Sequence, residues 1–170
     1  METSGVCDSF AKRKNILYTK EEAKKLKEKF WTSFGQYMSL NLSDEGLKTN
    51  WINYKTGIKH LYFRMDADNK TAQIYIEIAH TDEGIRELIF AQFQEYKAIL
   101  HAELGEEWEW DACYYDAYGK PTARIGIVLE EKVSVLKQED WPKLISFFKP
   151  RIMALDSFWS NAKYGFDMFK

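Results

Sequence analysis

The sequence contains little cysteine, little proline and no long apolar run, and each absence excludes a class of protein. Two cysteines, Cys7 and Cys113, provide neither a disulfide framework nor a zinc-binding pattern. Only three prolines in 170 residues argue against a proline-rich or low-complexity chain. No apolar stretch approaches the ~18 residues that a membrane span needs, and no signal-peptide pattern is present. We therefore expect a soluble, cytoplasmic protein without a membrane partner.

Recognisable catalytic motifs are also missing. The chain has no glycine-rich phosphate loop, no G-x-S-x-G and no H-E-x-x-H. Its three histidines, His60, His80 and His101, are far apart in sequence and do not follow a zinc-ligand spacing. The sequence thus predicts no cofactor, no metal site and no catalytic residue, and it favours a protein that is not an enzyme.

Apolar residues make up 45% of the chain and aromatic residues 16%, which is ample material for a buried core. The net charge of −2 excludes a globally basic nucleic-acid binder. The charge is nevertheless uneven, because residues 11–30 contain eight Lys or Arg and three Glu. This segment is either a solvated helix face or a surface that contacts phosphate.

Periodicity predicts the element order α-ββ-α-ββ-α, an α+β fold in which a four-stranded, mainly antiparallel sheet packs against long helices. Residues 1–17 lack periodicity and are expected to form a disordered lead-in, with a single α+β domain at 18–170. Thr19 and Glu22 form a capping-box pattern for the first helix. The second helix is predicted at 82–104 with Thr81 as its cap, and Pro150 predicts a kink or break in the last helix. Three long helices do not fit side by side on one face, so one is expected at an edge or on the second face.

Two hairpins of alternating residues form the predicted sheet. In the first, Phe63 is expected opposite Ile74 on the core side, and Tyr62 opposite Tyr75 on the other side. The second hairpin, at 107–129, resembles the first, since ARIGIVL is similar to AQIYIEI. Two explanations of this similarity remain open: an internal ββα duplication, or a chance likeness between two amphipathic hairpins.

The sheet face that points away from the core is the main candidate site. Aromatic and cationic residues alternate there, and such mixtures stack on bases or planar ligands and contact phosphates. The competing interpretation is that a helix covers this face or that its tyrosines pair across strands for stability. Gln73, Asp111 and Tyr115 are placed on the same face. The candidate binding residues, three of them from the preceding loop, are Trp51, Asn53, Lys55, His60, Tyr62, Arg64, Tyr75, Glu77 and Arg124.

Two alternatives remain open. Asp66, Asp68 and Glu77 lie on one hairpin, and acidic pairs on two strands hold the divalent metal of many nucleases. The lysine expected two residues after the second acid is replaced by Ala79, and aspartates are also common turn residues. The other alternative is a small-molecule binder, with a pocket between the sheet and the third helix.

Three segments carry a resemblance to a known family: FWTSFGQYMSL, NWINYKTGIKHLYFRMD, and QEDWPKLISFFKPRI followed by ALDSFWS. Over about 17–166 the chain resembles a bacterial family catalogued as domain of unknown function 4268. Its members occur as small stand-alone proteins and as the C-terminal part of longer proteins whose other portion looks like a restriction-type nuclease. The resemblance implies no catalytic residues. It favours a non-enzymatic bacterial binding or interaction module in nucleic-acid metabolism or defence, with nucleic acid or a nuclease-related protein as partner.

Overall fold

The computed structural model describes residues 17–170, so the predicted lead-in at 1–17 lies outside the described residues except for Leu17. The fold is α+β with a four-stranded antiparallel sheet, which confirms the predicted class. Two short 3₁₀ helices, Gln138–Asp140 and Lys163–Phe169, flank the last α-helix. The main elements are α1 (Lys20–Met38), β1 (Leu61–Ala67), β2 (Ala72–Ile78), α2 (Glu83–Glu95), α3 (Lys97–Leu104), β3 (Glu109–Tyr115), β4 (Pro121–Val128) and α4 (Trp141–Ala162).

The sheet has the strand order β1-β2-β4-β3 and buries one face under the helices. On that inner face Ile74, Ile76 and Ile125 of the two central strands are fully buried. Helices α2 and α4 lie over these residues, because both contact β2. Alternation places every second residue on the opposite, outer face. The sheet therefore keeps one strongly apolar face and one polar face.

Helix α1 begins at the predicted capping box. The Thr19 hydroxyl accepts from the Glu22 backbone N–H at 3.1 Å, and the Glu22 carboxylate accepts from the Thr19 N–H at 3.2 Å. Its apolar stripe packs on α4, with Phe34 and Phe148 ring centroids 6.0 Å apart. Trp31, next to this stripe, reaches the side of β1 and lines a depression together with Met65. The first helix thus lies at the β1 edge of the sheet.

The register of the first hairpin differs from the prediction by two residues. Phe63 lies opposite Ile76 instead of Ile74, and Tyr62 lies opposite Glu77 instead of Tyr75. The cause is the turn, because the Asp68 carboxylate accepts from the backbone N–H groups of Lys70 and Thr71, both at 2.7 Å. Asp68 thus closes a four-residue loop at 68–71, one residue later than the loop that the predicted register requires. A shift of two keeps the same residues on the same face.

The predicted second helix is divided into α2 and α3 at Tyr96, whose backbone leaves the helical region. The division allows the Tyr96 ring to pack on Phe166, with centroids 5.8 Å apart. The N-cap of α2 is Asp82 instead of Thr81, and its carboxylate accepts from the Ile85 N–H at 2.9 Å. Helix α4 is continuous across Pro150, so the predicted break does not occur. Pro150 is exposed, and water can satisfy the carbonyl that loses its helical hydrogen bond.

Gly126 provides a test of the packing between the two central strands. It lies opposite Tyr75, and a Cβ atom at this position would lie 2.4 Å from the Tyr75 Cβ and 2.8 Å from the Ile74 carbonyl oxygen. Gly126→Ala should therefore lower the free energy of unfolding by about 2 kcal/mol through overpacking. Urea unfolding measures this change. The control Val128→Ala, on an exposed residue of the same strand, should stay within about 0.5 kcal/mol of wild type; equal stability of both variants would contradict the packing.

Candidate functional site

The outer face of the sheet is held together by one buried carboxylate. Glu77 is only 8% exposed. Its Oε1 accepts from Arg64 Nε at 2.9 Å, and its Oε2 lies 3.7 Å from Arg124 Nη2. These three predicted residues are therefore brought together, but they are bound to one another. A buried carboxylate with two guanidinium partners is stable because its charge is compensated.

The tyrosines of this face are also engaged. The Arg124 guanidinium lies between the rings of Tyr75 and Tyr114, at 3.9 and 3.8 Å from their centroids. Arg64 lies 4.1 Å from the centroid of Tyr62. Each of these contacts is a cation–π interaction, and together they cover ring surface that a base would otherwise use for stacking.

Tyr75 is the most buried of these tyrosines, with 5% exposure. Its hydroxyl donates to Asp66 Oδ2 at 2.5 Å. Burial raises the pKa of Tyr75, and the hydrogen bond to Asp66 raises this pKa further. Tyr75 therefore remains a protonated donor over the whole physiological pH range.

Two of the predicted site residues, Trp51 and His60, lie away from this network. Trp51 is buried in the core, where its indole N–H donates to the Asn41 carbonyl at 3.1 Å. His60 has a left-handed backbone (φ 64°) before β1, and its ring packs against His80 at 5.2 Å between centroids. Desolvation, followed by the neighbouring His80, lowers the pKa of His60. Neither Trp51 nor His60 belongs to the outer-face network.

A β-bulge changes the tyrosine that reaches this face. The register of β3 against β4 shifts between Asp111 and Tyr114, so the residue opposite Thr122 is Tyr114. Tyr115, predicted for the outer face, consequently points to the helix side. Alternation alone could not identify this residue, because one extra residue in a strand reverses every later side chain.

The loop residues Asn53 and Lys55 belong to a different environment. Lys55 forms a bridge with Tyr62, which extends the sheet beyond β1. Residues 53–55 form a wall that lines a cleft on either side. The first cleft has a volume of about 410 Å³ and is also lined by Trp31 and Arg64. We name it the edge cleft. The second cleft has a volume of about 430 Å³ and is also lined by Asp156 and other residues of α4. We name it the loop cleft.

One buried carboxylate anchors the loop that forms this wall. Asp156 of α4 accepts from the Tyr54 hydroxyl at 2.6 Å and from the Asp44 backbone N–H at 2.7 Å. Burial is the main cause that raises the pKa of Tyr54, and the hydrogen bond to Asp156 adds to it. Asp44 in turn accepts from the hydroxyls of Ser157 and Ser160. The loop at 43–56 is thereby fixed on the last helix.

The proposed nuclease residues do not form a common metal site. Asp66 and Glu77 differ by four positions along the paired strands, which corresponds to about 13 Å. Asp68 is used by its own turn, Asp66 binds Tyr75, and Glu77 is paired with two arginines. Within residues 17–170, no group of three or more His, Cys, Asp or Glu side chains is arranged to hold a metal ion. The structure therefore contradicts the three-carboxylate metal site.

The small-molecule pocket was predicted between the sheet and the last helix, and the loop cleft uses that helix, α4, with residues 43–56 as its other wall. Asp156 and Trp31 were missed because both lie on predicted helices, where a single polar or aromatic residue has no distinctive signal. The pairing of Tyr54 with Asp156 spans 102 residues and has no local sequence signal.

Within the described residues, no helix has the length and apolar character to cross a membrane. The fold and site define an α+β protein with a self-paired outer sheet face and two clefts around one anchored loop. The chain belongs to the family described as Domain of unknown function (DUF4268), which matches residues 26–163 and confirms the resemblance noted in the sequence. No curated protein and no solved structure matches the chain.

Removing the charge of Glu77 tests the outer-face network. Glu77→Gln leaves the largely buried Arg124 without its carboxylate, so the free energy of unfolding should fall by about 3 kcal/mol. The matched control is Glu109→Gln, because Glu109 is an exposed residue of the same face. Chemical denaturation should show a change within about 0.5 kcal/mol for this control. Equal stability of Glu77→Gln and wild type would show that the network does not hold the face together.

Tyr54→Phe tests the loop anchor. The substitution removes one of the two hydrogen bonds to the buried Asp156 carboxylate and should cost about 1–2 kcal/mol of unfolding free energy. Tyr164→Phe is the control, since Tyr164 is 65% exposed and should tolerate the change. Thermal unfolding of both variants provides the comparison, and an equal loss in both would contradict the anchor.

Proposed function

We propose that this protein is a non-enzymatic nucleic-acid-binding module of the bacterial cytoplasm, with an accessory role in nucleic-acid metabolism or defence. The observation that carries the proposal is a basic surface along one edge of the sheet. It consists of one face of α1 and the adjoining edge cleft, and we name it the basic edge. Its charged and aromatic members are Lys20, Lys24, Lys27, Glu28, Trp31, Tyr54, Lys55, Tyr62, Phe63, Arg64 and Asp66.

The α1 part of the basic edge is a regular stripe. Lys20, Lys24, Lys27 and Trp31 follow one another at intervals of four, three and four residues, which places them on one helical face. The stripe extends about 16 Å along the helix. Within the described chain, none of these three lysines forms an ion pair. They therefore remain able to neutralise phosphates.

Trp31 connects the stripe to the edge cleft, because it lines both depressions. Lys55 and Arg64 lie on the far side of the cleft. Together the two depressions are lined by four lysines, by Arg64, which is already paired with Glu77, and by two carboxylates, although the whole chain has a net charge of −2. An aromatic ring between lysines is the arrangement that binds single strands through stacking and phosphate contact.

The outer face itself is a weaker nucleic-acid surface than the basic edge. Its two arginines are bound to Glu77, and Asp66, Glu109 and Asp111 add further negative charge. A polyanion would meet repulsion there. We therefore assign the ligand to the β1 edge, and the network of the outer face to stability. The occurrence of related sequences beside restriction-type nucleases is consistent with such a ligand.

Fluorescence anisotropy with a labelled 20-nucleotide single strand, titrated at 50–300 mM NaCl, tests the proposal. The association constant should fall linearly with salt on a log–log scale, with a slope of about −0.7 for each phosphate contact. Lys24→Glu combined with Lys27→Glu should reduce the slope by about 1.4 because two contacts are lost.

The matched control is Lys97→Glu combined with Lys120→Glu, which changes the net charge equally at two exposed lysines outside the basic edge. It should retain the wild-type slope. Absence of binding at 50 mM NaCl, or an equal loss in the control pair, would overturn the assignment.

A further inference from the structure

The loop cleft is a second concave surface beside the basic edge. Residues 43–56 form one wall, and the C-terminal part of α4 forms the other. Its volume of about 430 Å³ lies within the range of small-molecule sites. It is separated from the basic edge by residues 53–55, and only these three residues line both clefts.

The charged groups of the loop cleft leave an excess of positive charge. The Asp156 carboxylate is occupied by Tyr54 and the backbone of Asp44. Glu45 is bound to Lys163 at 2.7 Å. Lys48 and Lys55, in contrast, are exposed and form no ion pair in the described part of the chain. These two ammonium groups are therefore available to an anion.

Neutral donors accompany the two lysines. Asn50 and Asn53 also line the cleft, and Asn50 Oδ1 accepts from the Asn53 backbone N–H at 3.1 Å. This hydrogen bond fixes the Asn50 side chain and leaves its NH₂ group as a donor. A phosphomonoester has three terminal oxygens and nearly two negative charges, so it matches two ammonium groups and several amide donors better than a monoanion does.

We infer that the loop cleft binds a small molecule bearing a phosphomonoester, with the phosphate held between Lys48 and Lys55. The rest of the ligand lies against the side chain of Tyr54, which lines the same cleft. This site is distinct from the surface proposed for nucleic acid, although Lys55 borders both.

Thermal unfolding in 10 mM inorganic phosphate, against sodium chloride of equal ionic strength, tests this inference. For a dissociation constant of about 1 mM, the wild-type melting temperature should rise by about 3 °C. Lys48→Ala should lose at least half of this rise. The control Lys120→Ala, at an exposed lysine outside the cleft, should retain all of it.

General stabilisation by phosphate as a salt would act equally on all variants, so the difference between Lys48→Ala and wild type isolates the site. No rise in wild type, or an undiminished rise in Lys48→Ala, would overturn the inference. The Lys24→Glu/Lys27→Glu variant should keep the phosphate response while it loses oligonucleotide affinity. Because each surface has its own variant, failure of one proposal is distinguishable from failure of the other.

Discussion

Trp159 joins four parts of the molecule that are distant in sequence. Its ring packs on Phe63 of β1, on Phe93 of α2 and on Phe166 of the C-terminal 3₁₀ helix, with centroid distances of 5.8, 6.1 and 5.0 Å. Its indole N–H donates to the Thr56 carbonyl at 2.8 Å. Because the residue is only 2% exposed, each of these contacts is made within the core. The sheet, two helices and the loop at 43–56 are all oriented by this one side chain.

The position of the loop follows from that orientation. Once Thr56 is bound to Trp159, the preceding turn of α4 presents Asp156 to Tyr54 and to the backbone of Asp44. Packing therefore determines where the loop lies, and a buried carboxylate determines how closely it is held. The loop cleft is consequently a fixed feature of the fold, because its two walls are connected through the core.

The sequence predicted the parts of this arrangement that depend on local periodicity. The α+β class, the capping box at Thr19 and the apolar face of the sheet all follow from patterns within a few residues. The register of the first hairpin was wrong because Asp68 places the four-residue loop at 68–71, one residue later than the predicted register requires, and the bulge near Tyr114 has no signal in the alternation. The candidate site was predicted in part. Arg64, Tyr75 and Arg124 do converge, but their mutual pairing depends on distances that only the folded sheet provides.

The segment that forms the wall between the two clefts contains two kinds of residue, those that the fold requires and those that it leaves exposed. Trp51, Tyr54 and Thr56 are each held by hydrogen bonds to distant or buried groups, so their identities are required by the fold. Asn53 and Lys55 alternate with them and have exposed side chains, which make no side-chain hydrogen bond or ion pair among the described residues. An alternating segment that is anchored on one side presents its other side at a defined position. The fold thus fixes the backbone positions from which an amide and an ammonium side chain extend at the border of both clefts, and it uses neither side chain for its own stability.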